Sequence, residues 1–213
     1  MGGRECEDRR PAHAIASRSF VAQIRLASPG SEVCFTNTPL YPLGAYLFTI
    51  NGEIEPWPGP VSRAIRAQLD DEDEAAVRGS TDAEMLGALW RTCHRRVGGE
   101  CSSDAIAAAL AEALRIARDL TAQHGDTMKA NVIVGHAGGF VAARFAAEGW
   151  PASLDQVDGQ ERWQGALLVA SEPLDDGPGW RHVEPGLFVI ADRHGHRCEP
   201  IPIESVGRAL APT

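Results

Sequence analysis

Two amphipathic helix-length segments side by side, with strand-length runs before and after them, constrain the fold of this chain more than any other feature. From Asp82 to Arg96, the apolar residues Met85, Leu86, Leu89 and Trp90 recur at helical spacing, and Gly98-Gly99 closes the segment. From Asp104 to about Gln123, Ile106, Leu110, Ala113, Ala117 and Leu120 share one face, with Ser103 as the expected cap. Phe20–Leu26 and Tyr46–Ile50 precede them and read as strands. Ala130–Val134, Phe140–Phe145, Gly165–Ala170, Leu187–Ala191 and Arg197–Ile203 follow, separated by Gly-rich or Asp-rich turns. Links of hairpin length predict an α+β chain of antiparallel sheets covered by helices, not a parallel doubly wound sheet. A shorter helix, Val61–Leu69, follows the breakers Pro56, Pro58 and Pro60, and its acidic continuation Asp70–Glu74 is expected as a solvated surface.

With 213 residues, 44% of them hydrophobic, the chain can bury one full core. Residues 15–206 are expected as a single domain between a charged, frayed tail (1–14) and a short C-terminal tail (207–213). The net charge of −9 has the wrong sign for nucleic acid or an anionic membrane surface, so a small-molecule or protein partner is expected. No apolar run approaches the roughly 20 residues that cross a bilayer. Met1–Arg10 is too charged for a secretory leader, which together predicts a cytoplasmic protein. Cys6, Cys34, Cys93, Cys101 and Cys198 are odd in number and lack C-x-x-C spacing, so neither a disulfide framework nor a zinc knuckle is indicated.

Several short constellations could carry chemistry. Asn51-Gly52 ends an apolar run and reads either as a type I′ hairpin turn or as a pair of donors, the Asn51 side-chain amide and the Gly52 N–H, aimed at a developing oxyanion. Thr81-Asp82-Ala83-Glu84 reads as a capping box in which Asp82 complements the helix dipole, the commoner role, and compatibly as a site where the Asp82 carboxylate meets a substrate ammonium. Arg25 is either an outer-face strand residue or the forked partner of a substrate carboxylate, with Ser28 adding a hydroxyl. Asp192, His194, His196 and Cys198 stand two apart, but Gly195 among them predicts a turn that scatters them, so no metal site is expected. Gly135–Gly139 lacks the spacing of a phosphate loop and reads as a hairpin turn, and no Ser-His-Asp elbow is present. No cofactor is expected.

In ordered sequence, Gln23-Ile24-Arg25-Leu26-Ala27-Ser28-Pro29-Gly30, Asn37-Thr38-Pro39-Leu40-Tyr41, Phe48–Gly52, Gly79–Glu84 and Ala170-Ser171-Glu172-Pro173-Leu174-Asp175-Asp176 with Gly179-Trp180 resemble the class II glutamine amidotransferases. The resemblance is strongest to the small branch that includes the γ-glutamyl hydrolase of ergothioneine biosynthesis. It implies an Ntn-hydrolase fold, an αββα sandwich of two antiparallel sheets between helical layers. It also implies γ-glutamyl amide hydrolysis, in which an N-terminal cysteine, activated by its own α-amine, forms a γ-glutamyl thioester that water cleaves. By the same resemblance Arg25 and Ser28 hold the substrate carboxylate, Asp82 the ammonium, and Asn51 with Gly52 the oxyanion.

The sequence departs from that pattern. Position 2 is Gly2, the Asp-Gly segment expected before the Arg-bearing strand is missing, Ile50 replaces the histidine common before Asn-Gly, and Pro39 replaces the histidine usual after Thr38. Cys6 precedes Glu7-Asp8-Arg9-Arg10-Pro11, which cannot form a buried strand, and Cys34 has no α-amine. No residue therefore qualifies as the nucleophile. The expectation is a copy incomplete at its N-terminus and inactive as written, or a non-catalytic γ-glutamyl-binding or partner subunit. An unpaired sheet edge would favour self-association.

Overall fold

The computed structural model describes residues 19–24, 34–38, 40–149, 151–159 and 165–203. Nine strands, β1 (Tyr41–Leu43), β2 (Tyr46–Glu55), β3 (Thr127–His136), β4 (Gly139–Ala146), β5 (Asp155–Asp158), β6 (Leu167–Ala170), β7 (Arg181–His182), β8 (Leu187–Asp192) and β9 (Gly195–Pro200), form two sheets among the described residues. The larger has the order β1-β2-β3-β4-β8-β9 and the smaller β6-β5-β7. Every pairing is antiparallel. Four helices, α1 (Pro60–Arg66), α2 (Asp71–Ala76), α3 (Asp82–Arg96) and α4 (Ser103–His124), lie between β2 and β3 in sequence. The α+β class with antiparallel sheets is the one expected.

Side chains alternate across a strand, and in the central strands the two faces enter two different cores. Val141, Ala143 and Phe145 of β4 join Phe188 and Ile190 of β8 beneath the helices, where Leu86, Leu89, Trp90, Ile106, Leu110 and Leu114 meet them. The intervening Ala142 and Val189 face the other way and pack with Leu154 and Val183 between the two sheets. The described residues thus build three layers, helices, large sheet and small sheet. None of the helices among them covers the outer side of the small sheet.

The helix pair forms as its spacing predicts, with Ser102 as the cap of α4. Its hydroxyl accepts from Ala105 N–H (3.2 Å), whereas Ser103, the expected cap, is already helical. Gly125, in the left-handed region (φ 71°), ends that helix. Gly87 lets α3 lie directly on β2, since a Cβ there would stand 3.0 Å from the Phe48 ring.

Four expectations change. Asn51-Gly52 is no hairpin turn: β2 runs through it to Glu55 in unbroken register with β3. Ser19–Ile24 is not a strand. It crosses the inter-sheet face of the large sheet, with Val21 over Gly135 and Gln23 accepting from the Thr49 hydroxyl (2.9 Å), so it has no strand edge to pair with. The acidic run forms a helix, Asp71–Ala76, whose Asp71, Glu72 and Glu74 are exposed as expected, but Asp73 is 1% exposed and turns into the protein. Its Oδ2 accepts from the Thr92 hydroxyl and from Arg95 (both 2.7 Å), while Arg91 Nε stands 3.2 Å from Oδ1. Last, the strands Tyr41–Leu43, Asp155–Asp158 and Arg181–His182 had no counterpart in the sequence reading. The readings on residues 1–14 and 207–213 lie outside the described residues.

Candidate functional site

β1 pairs with only the first three residues of β2, Tyr46 to Phe48, so beyond them this edge of β2 has no strand partner among the described residues. There Ile54 N–H donates to Asp82 Oδ2 (2.8 Å). Backbone N–H groups of a strand point alternately to its two sides. Because the register with β3 runs without a bulge from Leu47↔Gly135 to Glu55↔Thr127, the Gly52 N–H, two residues earlier, is turned to the same open edge. A backbone donor and a carboxylate therefore stand along one strand edge about 7 Å apart, two residues of strand rise.

Asp82 is the first residue of α3, and its other oxygen, Oδ1, accepts from Ala83 N–H (2.9 Å). Burial pushes its carboxyl pKa above the ordinary value. Backbone N–H donors, those of Ile54, Ala83 and Asp82 itself, work against that shift and nearby Glu53 adds to it. An acid group that is desolvated, placed beside another carboxylate and without a cationic partner among the described residues, is set to gain from an incoming ammonium.

The approach to α3 is held by residues on three segments. Thr81 caps the helix by accepting from Glu84 N–H (3.2 Å), and its hydroxyl also meets Tyr41 OH (2.8 Å). Glu84 does not complete the expected capping box by reaching back to Thr81. Its two oxygens accept from Arg78 N–H (2.7 Å) and Gly79 N–H (2.6 Å). Asn37 Oδ1 accepts from Ser80 N–H (3.2 Å), and Trp57 Nε1–H donates to Ser80 O (2.8 Å). Gly79 fits where no side chain would, since a Cβ would lie 2.6 Å from Asn37 Oδ1 and 2.7 Å from Thr36 O. Asn37 and Tyr41 stood in a segment that carries the resemblance but without these roles, and Trp57 was not singled out, because nothing local marks a residue whose partner lies more than twenty positions away.

The Asn51 side chain is exposed and belongs to the opposite face of β2 from Phe48, Ile50 and Ile54. Directly across from it in β3 is Asn131, which is buried. Asn131 Nδ2 donates to Ala152 O and Ser153 O (3.0 and 2.8 Å), while its Oδ1 has no hydrogen-bond partner among the described residues. Arg144, the β4 residue opposite Asn131, is also buried and donates to Ala152 O (3.0 Å) and Val183 O (2.5 Å). Burial lowers its pKa from the usual guanidinium value. Together the two clamp the segment before β5 onto the large sheet. Gly52 is fixed by crowding, because a Cβ there would stand 2.1 Å from Lys129 O.

The structure thus brings Asp82 to the strand that carries Asn51 and Gly52, whereas Arg25 and Ser28 lie outside the described residues. Asp192, His194, His196 and Cys198 belong to the β8–β9 hairpin. Asp192 Oδ1 accepts from His194 N–H within the turn (2.7 Å), and Cys198 is approached by Gln156 Nε2 (3.4 Å). Among the described residues no group of three or more His, Cys, Asp or Glu is placed to hold a metal. No described helix is long and apolar enough to cross a membrane.

His136 stands 3.3 Å from the Ser103 hydroxyl. Its Nδ1 accepts from Gly138 N–H (3.2 Å), which leaves the ring proton on Nε2 facing Ser103, so this histidine cannot take a proton from that serine. Of the described cysteines, Cys93 is buried with its thiol pushed up to about 11, mainly by burial. None of the four hydrogen-bonds to Asn51, Gly52 or Asp82.

No protein-family model matches this sequence, and no curated protein matches it significantly. Solved structures do. A glutamine aminotransferase class-II domain protein from Silicibacter pomeroyi is similar with a TM-score of 0.62 at 23% identity, over 73% of this chain and 67% of that one. The chain has the fold of a class II glutamine amidotransferase domain. A second protein of this fold, described as a predicted glutamine amidotransferase from Pseudomonas aeruginosa, gives a TM-score of 0.52 at 16% identity, over 76% of this chain and 65% of that one. The chain spans about two thirds of the length of these amidotransferase-fold structures.

Proposed function

We propose that this chain is a glutamine amidotransferase-like protein that binds a γ-glutamyl head group, of the branch acting on a γ-glutamyl conjugate in ergothioneine formation. The observation that carries the reading is the open edge of β2, where the Asp82 carboxylate stands and toward which the Gly52 N–H is turned. In this reading the α-ammonium meets Asp82, a carboxylate whose burial its backbone donors offset only in part, and Arg25 with Ser28 takes the α-carboxylate. The γ-carbonyl oxygen accepts from the Gly52 N–H and the Asn51 amide, donors that strengthen as the oxygen gains charge. The likeness of Ala170–Asp176 and Gly179-Trp180 supports the branch; that loop is tied by Trp180 Nε1–H to Asp175 Oδ1 (3.0 Å).

The reading is one of binding without turnover. Amide cleavage on this pattern needs a thiolate beside the carbonyl carbon, and no described cysteine makes a hydrogen bond to the donor pair or to Asp82. Calorimetric titration with glutamine and glutamate tests it. Affinity should fall roughly ten- to hundredfold in Asp82→Ala, the loss of a hydrogen bond to a charged group, and similarly in Arg25→Ala. Unchanged affinity in Asp82→Ala would sink the head-group assignment. Rapid glutamate release by the wild-type chain would refute the absence of turnover while keeping the head group.

A further inference from the structure

A cavity of about 180 Å³, lined in part by Gly79 and Ser80 just before Asp82 in sequence, is unused by the γ-glutamyl reading. Its walls include Trp57, Pro58, Arg63, Arg66, Ser80 and Met85. Arg63 and Arg66 stand one helical turn apart on α1, whose buried residues Val61 and Ile65 fix that helix against the core, so both guanidinium groups come to the same side. Arg66 has one acidic partner, Glu74, at a loose 3.5 Å. Arg63 makes no side-chain ion pair or hydrogen bond among the described residues. In a chain of net charge −9, the cavity therefore holds one positive charge uncompensated among the described residues.

The chemistry of the walls narrows the occupant. A guanidinium fork matches the two oxygens of a carboxylate. One unbalanced positive charge suits a monoanion better than a phosphate group, which carries about −1.5 to −2 at neutral pH. The indole of Trp57 is held in place through Nε1–H to Ser80 O, and with Pro58 and Met85 it supplies the apolar lining that a flat organic body prefers. We propose that this cavity is a subsite for a small planar carboxylate, gripped by Arg63 and Arg66 with its flat body against Trp57. The subsite goes beyond the γ-glutamyl reading and does not depend on it, since neither arginine has a part there.

The Trp57 indole N–H is the natural probe, followed in nitrogen–proton correlation spectra of the full chain and assigned with Trp57→Phe. Benzoate should shift that signal saturably and bind at least roughly tenfold tighter than its uncharged isostere benzamide. The Arg63→Ala/Arg66→Ala double variant, altered at solvent-facing positions, should keep the native spectrum and lose at least roughly tenfold in benzoate affinity. Asp82→Asn should leave the benzoate response in place. Equal binding of benzoate and benzamide, or an unchanged affinity in the double variant, would overturn the anion site. Inorganic phosphate binding more tightly than benzoate would overturn the planar-carboxylate class, and loss of the benzoate response in Asp82→Asn would overturn a separate subsite.

Discussion

Replacing Asp82 by asparagine separates what this carboxylate does for the fold from what it offers a ligand. Each oxygen accepts one backbone N–H, from Ile54 at 2.8 Å and from Ala83 at 2.9 Å. An amide keeps one acceptor, so Asp82→Asn gives up one such bond, about 0.5–1.5 kcal/mol. Against that loss, it removes a desolvated charge beside Glu53. The sign with pH follows from the raised carboxyl pKa: this group's contribution to stability is complete below its unfolded value, about 3.9, and is lost as pH rises through the higher folded value. The variant should therefore gain on the wild type steadily from about pH 4 upward, levelling once the wild-type carboxyl is fully ionised. Asp82→Ala removes both acceptors and leaves the Ile54 N–H without one, so it should be less stable than Asp82→Asn by about 1–3 kcal/mol. Urea denaturation from about pH 4 to about pH 8, with glutamate titrations at each pH, measures both effects. A difference between wild type and Asp82→Asn that stays flat with pH, or shrinks as pH rises, would refute the reasoning.

Other expectations rest on packing and burial. Gly52→Ala would force a Cβ to 2.1 Å from Lys129 O, so chemical denaturation should show a loss of several kcal/mol, beyond the roughly 1–3 kcal/mol of ordinary overpacking. Asp73→Ala leaves the fully buried Thr92 hydroxyl without its acceptor, while Arg91 and Arg95 keep Glu72, and should cost about 1–3 kcal/mol, read from the same transition. Leu110→Ala, in the fully buried face of α4, should cost about 2–5 kcal/mol, with a smaller cost for Leu120→Ala, which is only partly buried against the same core near the end of that helix. In the native protein near neutral pH, iodoacetamide should modify exposed Cys101 and spare Cys93, whose thiol is both buried and pushed up to about 11; mass mapping of the alkylated sites decides it.

What could be read from the sequence was whatever repeats at short range. The faces of α3 and α4 are set by one period, and the residues expected on them, Leu86, Leu89, Trp90, Ile106 and Leu110, form the buried core. The β8–β9 hairpin was legible because Gly195 marks its turn. Asn51-Gly52 was ambiguous for a physical reason: the same dipeptide serves a hairpin that needs positive φ and a strand that needs room for the Lys129 carbonyl, and only the partner strand distinguishes them. Within the acidic run, Asp73 alone escaped the solvated reading, because its partners, Thr92, Arg91 and Arg95, come from a helix some twenty residues later. Of the site, Asp82 was placed by its position at the start of a helix, but its tie to Ile54 spans 28 residues and no local pattern encodes it.

Among the described residues, the shortness of β1 leaves β2 with a bare flank of the kind on which a foreign strand can zip up and seed aggregates. The donor from Ile54 is already taken by an acidic side chain, and a newcomer would have to bring its own carbonyl against that negative charge. The group offered to a ligand's cationic end thus also acts as a stopper, and evolution toward a neutral residue here would trade selectivity for stickiness.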